Sequence, residues 1–266
     1  MSSMNFTADR LATLNSNILD ILSNHGDFPP GPGPVSVPGG EMRLKSGMPF
    51  GLHFIMGEPS PVEGLIAAAV IGSPEDLAKH PDGPLTRVHS GCLYSELGTS
   101  PDIEAWLRHG ALDPYEGLVS PLQRSKKCDC RAQRIEAQDR IAREGGIYFD
   151  LAEQECRGWG LLLKREFYRL QEEEGMDTVE AGAHLQKAFD IRRYRACGQF
   201  LLNNLGLKRV RLLTNNKNKE EGLEDQGISV TRVPLVVGVT EDNIGYLRTK
   251  RDKARHGFPE DLKPSL

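Results

Sequence analysis

CDCRAQRIEAQDRIAREGGIYFDL, residues 128–151, sets two periodicities back to back. RAQRIEAQDRIARE (131–144) reads as an amphipathic helix with Ile135 and Ile141 turned inward. GGIYFDL (145–151) follows at once as a strand. The same alternation continues on both sides. GLHFIMG (51–57) and GLIAAAVIG (64–72) are short buried strands between turn signals, and residues 157–174 are helical. VRLLT (210–214) is a buried strand that runs into the polar loop NNKNK, and Ile228 to Leu235 forms another, closed by Pro234. Strands alternating with helices predict an α/β (α+β) fold. The expectation is one domain with a mixed sheet flanked by helices, preceded by an N-terminal extension. No internal repeat is present.

The ends differ from the middle. Residues 1–26 predict one helix, with Leu11, Leu14, Ile18, Leu19 and Leu22 at helical spacing, suited to docking or oligomerisation. GDFPPGPGPVSVPGG (26–40) is dense in proline and glycine and reads as an extended arm. The expected layout is therefore an arm over 1–40, a domain over 41–256 and a tail over 257–266. SPDIEAWLRHG (100–110) predicts a short helix, capped by Ser100, with Pro101 in its first turn and Gly110 ending it. From Ile244 the chain is heavily charged, with Lys250, Arg251, Lys253 and Arg255, and suits either a helix or a loose segment.

A chain of 266 residues can bury a substantial core. Its formal net charge of -4 points away from nucleic acid and membrane surfaces as partners, so any polyanion site must be local. No run approaches the roughly 18 apolar residues of a membrane span. The N-terminus lacks a basic region followed by an apolar core, so no secretory signal is expected. The five cysteines are Cys92, Cys128, Cys130, Cys156 and Cys197. An odd number in a chain this long argues against a disulfide framework and for a reducing, cytoplasmic setting.

Cys128-Asp129-Cys130 places two thiols on a tight turn, and the adjacent Lys126 and Lys127 favour thiolate. Cys92, in TRVHSGC (86–92), is the candidate third ligand. Three thiolates and an open position form a catalytic rather than a structural zinc pattern, in which bound water ionises near about pH 7. A bare Cys-x-Cys also fits ordinary buried thiols. His89 is a further possible ligand, although a histidine beside a strand is more often a hydrogen-bonded structural residue.

Seven segments then occur in order: RVHSGC (87–92), CDCRAQ (128–133), QECRGWGL (154–161), DTVEA (177–181), DIR (190–192), RLLTNN (211–216) and RVPL (232–235). Together they resemble the catalytic domain of GTP cyclohydrolase II, from about Thr86 to His256. The resemblance implies hydrolytic opening of the guanine imidazole ring of GTP. Formate and pyrophosphate are released, and the diaminopyrimidinone product enters riboflavin synthesis. It also implies a zinc ion on Cys92, Cys128 and Cys130, magnesium on the substrate phosphates, and a homodimer. Tyr168 matches a tyrosine near the zinc water, Asp190 a proton acceptor, and Arg192 a nucleophile toward the α-phosphate. A guanidinium is a poor nucleophile because its pKa exceeds about 12, so an electrostatic clamp is an equal reading of Arg192. Arg87, Val88, His89, Ser90, Gln133, Glu155, Arg157, Thr178, Thr214 and Lys219 match substrate contacts. A carboxylate at Glu155 suits the N1–H and 2-amino group of guanine, and Arg157 and Lys219 suit phosphates. Singly, Glu155–Arg157 also reads as a surface ion pair, Thr214 as a strand-end cap and Lys219 as a solvated charge.

The chain departs from the family pattern in three places. Gly91 stands where a glutamate precedes the first zinc cysteine. An insertion over about 94–126 separates the zinc-ligand segments, and suits a lid, a dimer contact or a neutral excursion. Leu151-Ala152-Glu153 replaces Tyr-His-Arg, with Cys156 in place of a glycine, Trp159 for a smaller residue and Arg193 where an acid is common. Glu153 is thereby expected to bring negative charge near the nucleotide. These edits leave two other readings: a paralogue opening a different nucleotide or pyrimidine ring, and a non-catalytic nucleotide-binding zinc protein.

Overall fold

The computed structural model describes residues 36–43, 49–57, 63–92, 128–188 and 190–264. The helices expected over 1–26 and 100–110, the insertion at 94–126, and Lys126 and Lys127 lie outside the described residues.

Seven strands form one mixed sheet: β1 (Ser36–Arg43), β2 (Pro49–Met56), β3 (Leu65–Ile71), β4 (Leu85–Ser90), β5 (Gly146–Leu151), β6 (Arg209–Leu213) and β7 (Ser229–Val233). Their order is β1-β2-β3-β5-β4-β6-β7. β1, β2, β3 and β5 pair antiparallel, whereas β5, β4, β6 and β7 run parallel. The described helices are α1 (Pro74–Ala78), α2 (Cys130–Glu144), α3 (Leu161–Glu173), α4 (Thr178–His184), α5 (Arg195–Asn203), α6 (Lys217–Glu224) and α7 (Ile244–Lys253). The mixed sheet flanked by helices agrees with the expectation from sequence.

β4 and β5 are central and buried along nearly their whole length, as parallel strands covered on both faces must be. One face packs Val88, Ile147, Phe149 and Leu212 against Phe200, Leu201 and Cys197 of α5. Phe149 and Phe200 meet edge to face at 5.9 Å between ring centroids, the geometry the aromatic quadrupole favours. The other face packs Leu85, Tyr148 and Leu213 against Ala137 and Ile141 of α2. No helix among the described residues is long and apolar enough to cross a membrane.

Several elements differ from their sequence reading. Ile135 is 52% exposed rather than inward. It lies six residues from Ile141, about 120° round a helix of 3.6 residues per turn, whereas Ala137 and Ile141 share a face. The proline- and glycine-rich arm gives way to strand at Ser36, because the backbone there pairs with β2. Pro38 is tolerated on this edge strand, and a register shift between Pro38 and Glu41 accommodates Gly39-Gly40. NNKNK is mostly helix: the Asn216 side chain accepts from the Asn218 N–H and caps α6. The charged stretch after Ile244 takes the helical one of its two expected forms, and the chain beyond 257 packs back on it. Phe258 and Leu262 are buried there against Val239 and Leu247.

Candidate active site

In a sheet of this kind the open end of the parallel strands is where ligand-binding groups collect. β4 and β5 end there in Ser90-Gly91-Cys92 and Leu151, the start of α2 supplies Cys128, Asp129 and Cys130, and α3 supplies Lys164 and Tyr168. The sulfurs of Cys92, Cys128 and Cys130 all lie within 4.8 Å of one another. Cys92 Sγ and Cys128 Sγ are 3.6 Å apart. Sulfurs held tetrahedrally at about 2.3 Å from zinc are about 3.8 Å apart, so the cluster has the spacing a metal ion requires. Cys92 and Cys128 are buried, and Cys130 is only partly so. Hydrogen bonds from Cys128 and Cys92, reinforced by burial, push the Cys130 thiol well above its usual range.

Among the described residues, Lys164 of α3 reaches the cluster. Its Nζ lies 2.9 Å from Cys92 Sγ and 2.5 Å from Glu155 Oε1. Burial lowers this ammonium's pKa, but Tyr168, Cys92 and Glu155 outweigh burial and hold it above the ordinary lysine range. Glu155 therefore pairs with Lys164 rather than with Arg157. Arg157 Nη2 instead donates to Thr178 Oγ1 at 2.6 Å. Cys156 (φ 50, ψ 49) and Arg157 (φ 59, ψ 27) are consecutive left-handed residues in a single tight turn over Glu155–Gly158. Non-glycine residues rarely adopt this conformation, and strain of this kind clusters at binding sites. Thr178 opens α4, where Asp177 and Glu180 form a reciprocal capping box, so the acids of DTVEA serve the helix end.

Arg192 forks onto Asp190, with Nε to Oδ1 at 2.8 Å and Nη2 to Oδ2 at 2.5 Å. Burial raises the Asp190 carboxyl, but Arg192 outweighs it and holds the group below the usual carboxylate range. Arg192 faces the pocket, and Asp190 is not among the lining residues. Val88 is not either: its side chain is in the core, and its carbonyl accepts from Lys219 Nζ at 2.7 Å. Burial, then Arg87 and Arg192, brings Lys219 well below the ordinary lysine range. Arg87 donates to Leu213 O and to Gln133 Oε1, both at 2.8 Å, fastening β4 to the end of β6. Gln133 in turn donates to Asp129. Thr214 Oγ1 accepts from Asn216 N at 3.0 Å, as a strand-end cap. Ser90 Oγ donates to Gln154 Oε1 at 3.1 Å. Burial, then Arg87, lowers His89 to about 3, and its ring stacks on Tyr148. His89 lines the pocket outside the three-sulfur cluster.

Arg87, Arg157, Lys164, Arg192, Lys219 and Lys250 line the pocket against the two carboxylates of Asp129 and Glu155. A chain of net negative charge thus builds a local cationic well, suited to a polyanion. Lys164, Tyr246, Lys250, His256 and Phe258 were not picked out from sequence. Lys164 sits four residues before Tyr168, a spacing that puts both on one helix face and could have signalled it. Lys250 Nζ lies 4.3 Å from the Tyr246 ring centroid, again four residues apart. The His256 and Phe258 rings stack at 6.1 Å. Nothing local placed α7 at the site; a bridge between Asn216 and His256 brings this segment in.

The edited positions are also resolved. A Cβ on Gly91 would fall 2.5 Å from Ala152 O, and Gly91 N donates to Leu151 O at 2.9 Å. The change at Gly91 and the change at Leu151–Glu153 are therefore one packing feature. Glu153 does not bring negative charge to the pocket. Its Oε1 accepts from Leu65 N at 3.2 Å, on the β3 side. Trp159 Nε1 donates to Ala188 O at 2.9 Å and fastens the segment before Asp190.

The GTP cyclohydrolase II family model matches residues 116–234. The GTP cyclohydrolase-2 of Acinetobacter baumannii is 38% identical over 188 residues, covering 70% of this chain and 80% of that protein. The riboflavin biosynthesis protein RibBA of Mycobacteroides abscessus is 43% identical over 147 residues, covering 54% of this chain and 35% of its own length. The RibBA protein of Bacillus subtilis is 35% identical over 208 residues, covering 78% of this chain and 45% of that one. The chain thus spans less than half the length of these RibBA relatives. With the cysteine cluster and the ordered motifs assembled at one strand end, the chain belongs to the GTP cyclohydrolase II family.

Proposed function

We propose that the protein is a zinc-dependent hydrolase that opens the imidazole ring of GTP and releases formate and pyrophosphate, as in riboflavin biosynthesis. The observation that carries this reading is the three-thiol cluster set in a pocket ringed by cations. Cys92, Cys128 and Cys130 would hold the zinc, which when bound supplies a Lewis acid and a water of near-neutral pKa. The chain's own groups do the rest. Glu155, fixed by Lys164, faces the guanine edge as an acceptor for N1–H and the 2-amino group. Burial keeps the Tyr168 phenol protonated far above neutrality, so its O–H donates to a ring nitrogen as the base opens. Arg157, Lys219, Lys250 and Arg192 surround the triphosphate, with its magnesium.

The state of Asp190 and Arg192 favours a clamp over a nucleophile. Tyr194, Asp190 and Tyr246 more than offset burial and keep Arg192 cationic. Asp190 is a weak base while Arg192 holds it. The pair suits stabilisation of charge at the α-phosphate. A homodimer in the cytoplasm completes the reading.

The decisive experiment is incubation with GTP, zinc and magnesium, with the product identified by mass and formate and pyrophosphate assayed. No ring opening at high enzyme concentration overturns the proposal. The Gly91–Ala152 contact favours a second reading, a paralogue acting on another nucleotide or pyrimidine ring, because it fills the space where the resemblance implies a carboxylate. A substrate panel followed by ultraviolet difference spectra separates the two. GTP turned over faster than every alternative removes the second.

A further inference from the structure

We propose that Lys164 is a positioning residue that bridges the metal centre and the base-binding carboxylate, donating to Cys92 Sγ and holding Glu155 in one fixed orientation. The proposal rests on the metal reading above and goes beyond it, since the ordered motifs assign Lys164 no part. Its Nζ is 2.9 Å from Cys92 Sγ and 2.5 Å from Glu155 Oε1. The side chains of Lys164 and Glu155 are only 9% and 10% exposed. Four residues on, Tyr168 presents its ring 5.9 Å from the same ammonium.

Charge counting gives the reason. Three thiolates around a divalent ion leave one net negative charge in a buried place. Glu155 adds a second within reach of the same ammonium. Unpaired buried charges cost several kcal/mol, and a compact ammonium with three donors can serve a sulfur and a carboxylate at once. Lys250 also lines the pocket, from α7. Among the described residues its ammonium makes no hydrogen bond to Cys92 or Glu155, so it offsets the loss of Lys164 only in part. The same bridge makes the metal centre sensitive to Glu155, 27 and 63 residues away in sequence from Cys128 and Cys92 but one ammonium away in space.

The test uses the full chain and zinc itself, by competition with a chromophoric chelator, together with the absorption spectrum of the cobalt-substituted protein. Lys164→Met keeps the stem and removes the charge. It is expected to weaken zinc binding at least tenfold and to shift the sulfur-to-cobalt charge-transfer band. Lys164→Arg is expected to stay within about threefold. Lys164→Gln makes the same neutral comparison if the methionine variant fails to fold. In a double-mutant cycle with Glu155→Gln, the two effects on zinc affinity are expected to be non-additive by at least threefold. Neutral variants that match the parent in affinity and cobalt spectrum overturn the role of Lys164, and additivity overturns the bridge. A parent that takes up no zinc overturns instead the metal reading beneath it.

Discussion

A Cβ built on Gly91 would lie 2.5 Å from the carbonyl oxygen of Ala152, closer than side-chain carbons approach a backbone. The turn after β5 therefore closes directly onto the residue before the first candidate zinc ligand. Gly91→Ala is expected to destabilise by about 1–3 kcal/mol, the usual cost of overpacking against a backbone that cannot yield. Urea unfolding reads this directly. Stability within about 0.5 kcal/mol of the parent would show that the turn gives way freely.

The metal reading makes a prediction that needs no substrate. Cys92→Ala, Cys128→Ala and Cys130→Ala should each reduce bound zinc from one per chain to a small fraction, measured by elemental analysis after desalting. Cys197→Ala should keep the metal, because that thiol is buried in the core beside Phe200 rather than among the three sulfurs.

Tyr168→Phe keeps the ring and removes the phenolic O–H. Loss of one positioned proton donor typically costs about 10²–10⁴ in rate. Turnover of GTP should fall at least a hundredfold, with nucleotide binding by equilibrium dialysis unchanged within about twofold. A parallel loss of binding would make Tyr168 a substrate contact rather than a proton donor.

Lys250 reaches the pocket from α7, outside the residues matched by the family model. Lys250→Gln should raise KM for the triphosphate about tenfold, equivalent to about 1.4 kcal/mol, and leave kcat within about threefold. Raising salt should narrow the difference, because a phosphate contact is screened.

His256 has a pH signature. Burial, then Lys250, lowers its pKa to about 3 from an ordinary 6.5. The unfolded chain therefore binds a proton below about pH 6.5 that the folded chain refuses. Stability from this residue is complete above that pH and falls toward pH 3, by about 1.4 kcal/mol per unit at most. His256→Gln should flatten this part of the stability profile, measured by urea unfolding from pH 7 to 4. An unchanged slope would mean that the histidine is accessible to protons when folded.

Short-range pattern was legible in the chain itself. The helix and strand of residues 128–151, the buried strands on either side, the thiols of Cys128 and Cys130, and the motif order all follow from local spacing and residue chemistry. That information sits within a few bonds of each residue. It fixed the fold class and the sulfur-rich character of the site before any contact was known.

Direction and distant approach were decided by the tertiary structure. The sequence placed charge at Glu153 but not its heading, and a backbone N–H on Leu65, 88 residues away, turns it from the pocket. It placed two thiols side by side at Cys128 and Cys130, but not the ammonium of Lys164, which meets Cys92 across 72 residues of chain. Ile135 points outward because Ala137 and Ile141 take the face that meets the sheet. Each outcome depends on which groups desolvate together, and burial in a folded chain is a collective property that no single segment carries.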